Sequence, residues 1–404
     1  MAPAPAGPSR TTARSHLPWA GLITMSATVF VVVSAEMMPT AVLPMLSADL
    51  NVGLPAGGLL ISAWAATVVV ASFPLTRLVA GRDRPAVIAG ALVVMALATL
   101  ATASAPGYAV AMGSRLVAAA ATGLLWATVN VHAVSIVPER STARATAVVL
   151  FGGTMGTVLA LPAGNALAGL AGWRLPFLVL GIAALVVAVA VLFALRTAPV
   201  LDDGGQAAAR TGGRRPLWPV VAIGALGGLA LAAHFMPFTF VAELLTPSTL
   251  PGSLLLLVFG AVGVVGVAVV GAIGDRSPGL LAVLMATLMA ASLAVLPVLG
   301  SSTLTDLLIM VLWGLVVGAV GPSVQTYLMR TAGTEHRRIA GAMMPVAMNL
   351  GIALGAAAGS AVVDRWDLGH VPVVAMVPAA LAAMGFWVLG RLLRAHRGVI
   401  SSAQ

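Results

Sequence analysis

A chain of 404 residues that is 60% hydrophobic and only 8% charged falls outside the ordinary soluble class, where roughly a quarter of residues carry charge. Its formal charge of +9 raises the question of a nucleic-acid partner, but no basic stripe with interleaved aromatics appears, and no nucleic acid is expected. Cysteine is absent, which removes disulfides, thiol catalysis and cysteine metal sites.

In chain order, residues 1–17 are polar and rich in Ala, Pro, Ser, Thr and Arg, and read as a disordered cytoplasmic tail rather than a cleaved leader. Apolar runs of span length follow, and a helix needs about 20 residues to cross the hydrocarbon core. The runs predict helices over 19–43, 57–80, 86–104, 108–136, 143–170 and 174–196, then 217–245, 252–273, 278–299, 302–329, 339–362 and 371–392. The longest polar gap holds Asp202, Asp203, Gly204 and Gly205 and splits the twelve helices six and six. The expected architecture is an all-α polytopic membrane protein. Two pseudo-symmetric halves, 18–196 and 217–392, are joined by a cytoplasmic linker, 197–216, and followed by a tail, 393–404.

Every one of the 21 basic residues is Arg. Arg174 and Arg365 fall in the odd gaps and Arg115 lies inside a run, while the rest gather in the tails and even gaps. Cytoplasmic loops are enriched in basic residues, so both termini are expected in the cytoplasm. Arg-only usage with abundant Ala, Gly and Val points to a GC-rich bacterial genome and to the inner membrane.

The halves read as diverged copies. Ala35-Glu36-Met37-Met38-Pro39 matches Ala233-His234-Phe235-Met236-Pro237. Gly156 and Gly164 of the fifth helix match Gly351, Gly355 and Gly359 of the eleventh, with Trp173-Arg174 and Arg365-Trp366 after them. Gly81-Arg82-Asp83-Arg84-Pro85 matches Gly274-Asp275-Arg276-Ser277-Pro278. Paired six-helix halves around a midplane site are the build of rocking secondary transporters.

Glu36 is the sharpest candidate, because an acid inside a span is costly unless it faces protein or water, and is functional by default. Arg115 lies roughly 13 Å into the fourth helix at 1.5 Å per residue, the depth expected of Glu36. The two suggest a proton-coupling pair, with His234 as the counterpart of Glu36 in the second half. Structural readings stand beside these: a hydrogen bond to a neighbouring helix for Glu36, donors capping backbone carbonyls for Arg115, and a hydrogen-bonded core residue for His234. Asn130, His132, Gln325 and Asn349 are polar groups inside helices that either bind substrate or link helices. Met37, Met38, Phe235, Met236, Phe238 and Phe240 suit an adaptable apolar pocket or ordinary packing. The glycine repeats, with Pro162 as a kink point, predict close packing between the halves that seals one face of a cavity.

The chain resembles the major facilitator superfamily over about residues 19–392. Within it, the chain is most similar to twelve-helix drug:proton antiporters of the branch with sugar efflux proteins and chloramphenicol exporters. Ser34 to Pro39 followed by Leu43-Pro44 resembles that branch's first-helix signature. Arg115 with Gly123 and Trp126 resembles the fourth-helix motif, and Gly152, Gly156, Pro162 and Gly164 leading to Trp173-Arg174 resemble the antiporter motif. The usual Gly and Asp of the loop after the second helix are replaced by Pro74 and Arg77, whereas Gly271, Gly274, Asp275 and Arg276 keep a second copy. The resemblance implies proton-coupled efflux of a small organic, amphipathic compound by alternating access. It would be driven by the proton gradient with no cofactor or metal, in a monomer, with Trp126 added to the cavity residues. A sugar or metabolite carrier of the same fold is the alternative. No phosphate loop or other catalytic motif suggests an enzyme.

Overall fold

The computed structural model describes residues 18–138, 141–196, 216–274, 276–333 and 336–402. The expectations for the first tail, for Asp275 and for nearly all of the linker lie outside the described residues. Among those described, twelve helices are long and apolar enough to cross a membrane. They are α1 (Trp19–Asp49), α2 (Leu54–Leu78), α3 (Arg84–Ala103), α4 (Tyr108–Ser135), α5 (Thr142–Ala171), α6 (Arg174–Arg196), α7 (Trp218–Phe238), α8 (Gly252–Ile273), α9 (Pro278–Ala294), α10 (Thr303–Ala332), α11 (Arg337–Arg365) and α12 (His370–Ser402).

Local chemistry sets several boundaries. The Asp83 carboxylate accepts from Ala86 N at 3.1 Å and caps α3, and the Ser302 hydroxyl accepts from Thr305 N at 3.2 Å and caps α10; each satisfies a backbone donor that the first turn leaves free. Gly172, at φ 80°, turns the chain out of α5, a conformation that costs glycine nothing. Hydroxyls inside the spans mostly bond back to the carbonyl four residues earlier, as Thr67 does to Ala63 and Thr99 to Met95, so they need no partner in lipid.

Four boundaries differ from the sequence expectation by five residues or more. Helix α1 runs on through Pro44 to Asp49, since membrane helices tolerate internal proline. Helix α7, expected to reach 245, stops at Phe238 and resumes as one turn, Val241–Leu244. Helix α9 stops at Ala294, and Pro297 sits in a 3₁₀ turn, Leu296–Val298. The expected tail at 393 is a continuation of α12 to Ser402; its arginines are good helix formers, and charge alone does not end a helix.

The two halves are packed alike. In the first, α1 packs on α5 and α6, α3 on α4 and α6, and α2 on α4. In the second, α7 packs on α11 and α12, α9 on α10 and α12, and α8 on α10. The short connections make the helices alternate in direction. One end of the bundle, the terminal end, carries the 2–3 and 4–5 loops and the entry to α1. The far end carries the 1–2, 3–4 and 5–6 loops. There, Asp49 at the end of α1 accepts from Trp173 Nε1 at 3.1 Å and forms an ion pair with Arg174, whose other nitrogen donates to Ala105 O at 3.0 Å.

The halves meet along α2 with α11, α5 with α8, and α1 with the Val241–Leu244 turn. A Cβ on Gly58 would press on Ser360 of α11 and lie 3.0 Å from the Phe240 ring, and one on Gly260 would lie 2.8 Å from Val158 of α5. Along α5, Asn165 and Val158 approach α8, but Phe151, one further heptad toward the terminal end, is 59% exposed. The contacts between the halves that these residues mark lie toward the far end.

Candidate functional site

Proline chemistry builds the centre of the first half. Pro39 has no N–H, so the Ala35 carbonyl one turn earlier has no helical donor. Arg115 Nη1, on α4, donates to that carbonyl at 3.2 Å, and Nη2 makes a longer bond of 3.5 Å to Glu36 O. The guanidinium lies 4.3 Å from the ring centroid of Trp64 on α2, a cation–π contact that strengthens out of water. Glu36 is 4% and Arg115 2% exposed. Glu36 and Arg115 are thus brought together as expected, but through the α1 backbone. Their side chains form no ion pair among the described residues. Glu36 Oε1, Arg115 Nε, Trp64 Nε1, Ser34 Oγ and Ser62 Oγ are buried without a partner. Such groups are costly in an apolar interior, and each carries an unmet hydrogen-bonding need.

The second half holds the counterpart. His234 follows Glu36, and Trp313 follows Arg115, by the same 198 positions. His234 is enclosed by Phe238, Phe235, Trp313 and Phe259, at ring-centroid distances of 4.6, 4.8, 5.4 and 6.2 Å. Its Nδ1 and Trp313 Nε1 have no partner. No hydrogen bond, ion pair or ring contact among the described residues joins His234 to Glu36 or Arg115. Acid and guanidinium in one half are matched by imidazole and aromatic rings in the other. Pro237 frees the Ala233 carbonyl as Pro39 frees that of Ala35, yet no described side chain donates to it. The capped helix continues and the uncapped one breaks.

Met37, Met38, Phe235, Met236, Phe238 and Asn349 are buried, and Trp126, Asn130 and Gln325 are half-buried. Asn130 Oδ1 and Asn349 Oδ1 have no partner, and neither does either ring nitrogen of His132; Asn349 Nδ2 donates to Pro345 O at 3.1 Å. Two recesses of about 560 and 480 Å³ lie on the surface, one between α2, α3 and α4 and one between α1 and α5. None of the residues expected to line a cavity lines either.

The glycine repeats do close-pack, but not between the halves as expected. Added Cβ atoms on Gly152, Gly156 and Gly164 of α5 would collide with Ser26, Phe30 and Met38 of α1. Those on Gly351, Gly355 and Gly359 of α11 would collide with Gly228, Ala232 and Met236 of α7. These helix pairs belong to one half each, and Pro162 sits in α5 among them. The contact between halves falls instead to Gly58 and Gly260, which lie outside the repeats of α5 and α11. Arg276, beside the undescribed Asp275, is exposed in the turn after α8. Trp64 and Trp313 were missed for want of any local signal, although the 198-residue offset that pairs Glu36 with His234 leads from Arg115 to Trp313.

The sequence profile described as Major Facilitator Superfamily matches residues 25–356. A chloramphenicol efflux pump of Mycobacterium tuberculosis strain CDC 1551 is 29% identical over 410 residues, with 97% of each chain covered. The inner membrane transport protein YdhP of Escherichia coli K12 is 30% identical over 377 residues, covering 90% of this chain and 94% of that one. Among solved structures, a bacterial homologue of the human lysosomal transporter Spinster, inward-facing and unoccupied, matches with a TM-score of 0.74 at 14% identity. It covers 94% of this chain and 98% of its own.

Proposed function

The chain belongs to the major facilitator superfamily, and we propose that it exports a small, amphipathic organic compound such as chloramphenicol in exchange for protons. The observation that carries this reading is Glu36, an acid buried at mid-span with an unpartnered oxygen, in a chain alike over almost its whole length to efflux pumps. A carboxyl there can take up and release a proton as the halves move. Arginine placement supports a terminal end in the cytoplasm of a bacterial inner membrane. Alternating access would part α2 from α11 and α5 from α8 at the far end. Nothing in the reading requires a second subunit or a cofactor.

Expression in an efflux-deficient bacterial host tests it. Wild type should raise chloramphenicol tolerance, whereas Glu36→Gln, expressed to the same level, should not. Equal tolerance in the two strains would remove Glu36 from the mechanism, and no tolerance to any of a panel of amphipathic drugs would remove drug export.

A further inference from the structure

We propose that the groove between α2, α3 and α4 binds an anionic glycerophospholipid, with one acyl chain in the groove and its phosphate against Arg82. The groove holds about 560 Å³, inside the range of about 300–1,000 Å³ typical of small-molecule sites. Its walls are Leu75, Val79, Val94 and Val117, over a floor of small residues that includes Gly90 and Ala121. Val94 and Val117 are exposed on helices long enough to cross a bilayer, so hydrocarbon is what meets them. From the start of α3 to Val94 is ten residues, about 15 Å along a helix, or half of a hydrocarbon core about 30 Å thick. That is the reach of one leaflet's acyl chain.

Charge then selects among lipids. Arg82 is the one cation lining the groove, it is exposed, and it has no partner among the described residues. The acid beside it, Asp83, is engaged as the cap of α3. Arg77, stacked 4.3 Å over the Phe73 ring at the same end, does not line the groove. Basic pockets between membrane helices suit acidic headgroups. This site depends on the membrane-spanning fold and not on which compound is transported.

Native mass spectrometry of the purified full chain would test it, with phosphatidylglycerol and phosphatidylcholine of identical acyl chains titrated in parallel. Phosphatidylglycerol should bind roughly fivefold more tightly, the size expected for one basic residue facing anionic lipid, and Arg82→Gln should abolish that preference. Gly90→Phe, which projects into open space, should weaken both lipids by filling the groove. If that variant does not fold, the surface variant Arg82→Gln decides alone. Equal affinity for both lipids, a preference that survives Arg82→Gln, or one-for-one displacement of lipid by chloramphenicol would overturn the proposal.

Discussion

Arg115 offsets the cost of a guanidinium at mid-span by giving two donors to carbonyls of α1 and its face to Trp64. Truncation should therefore act on stability as well as transport. Arg115→Ala should cost about 2–4 kcal/mol, since charge-assisted bonds are lost and a buried carbonyl is left unpaired, and thermal unfolding in detergent would register it. Arg115→Lys should recover only part of the loss, because an ammonium lacks the planar fork that spans Ala35 and Glu36. Glu36→Gln, by contrast, keeps the shape and the backbone carbonyl that Arg115 uses. It should leave stability and drug binding near wild type and abolish gradient-driven transport. A Glu36→Gln protein that loses drug binding as well would place the acid in the drug site rather than in proton coupling.

Helices α1 and α7 carry the same proline at equivalent positions, and only the capped one stays continuous. Pro39→Ala would return an N–H to the chain one turn after Ala35, so it should shrink the stability loss caused by Arg115→Ala. A double-mutant cycle measures this, and strictly additive losses would show that the cap is not what Arg115 contributes. Close packing makes an equally local forecast within α5. Gly156→Ala should cost about 1–3 kcal/mol by forcing α1 away, while Gly169→Ala, with nothing within 4 Å, should be neutral or slightly stabilising. Helix number and most boundaries were legible in the sequence because hydrophobic length is a local property. The break after Phe238 was not, since internal proline alone gives no signal for it: Pro44 and Pro162 sit inside continuous spans. Glu36 and Arg115 could be matched by depth, but their contact through backbone could not. The glycines were legible as contact points and misassigned to the seam between halves, because spacing reveals that a face is smooth and not which helix lies against it.

Across the whole molecule, two halves with matching packing differ where Glu36 and Arg115 of the first are matched, 198 positions on, by His234 and Trp313 of the second. Proton coupling in the first half and an apolar aromatic wall in the second is the division of labour this asymmetry suggests. Arginine placement predicts the orientation: reporter fusions at Gly204 and Gln404 should both read as cytoplasmic, and those at Asp49 and Asp306 as external. A cytoplasmic signal at Asp49 would invert or break the twelve-span topology. The most direct measurement is chloramphenicol uptake by everted membrane vesicles under an imposed inside-acid gradient. Wild type should accumulate the drug, a protonophore should release it, and Glu36→Gln vesicles should match those without the protein. Accumulation by wild type that ignores the gradient, or survives Glu36→Gln, would contradict proton-coupled export through this site.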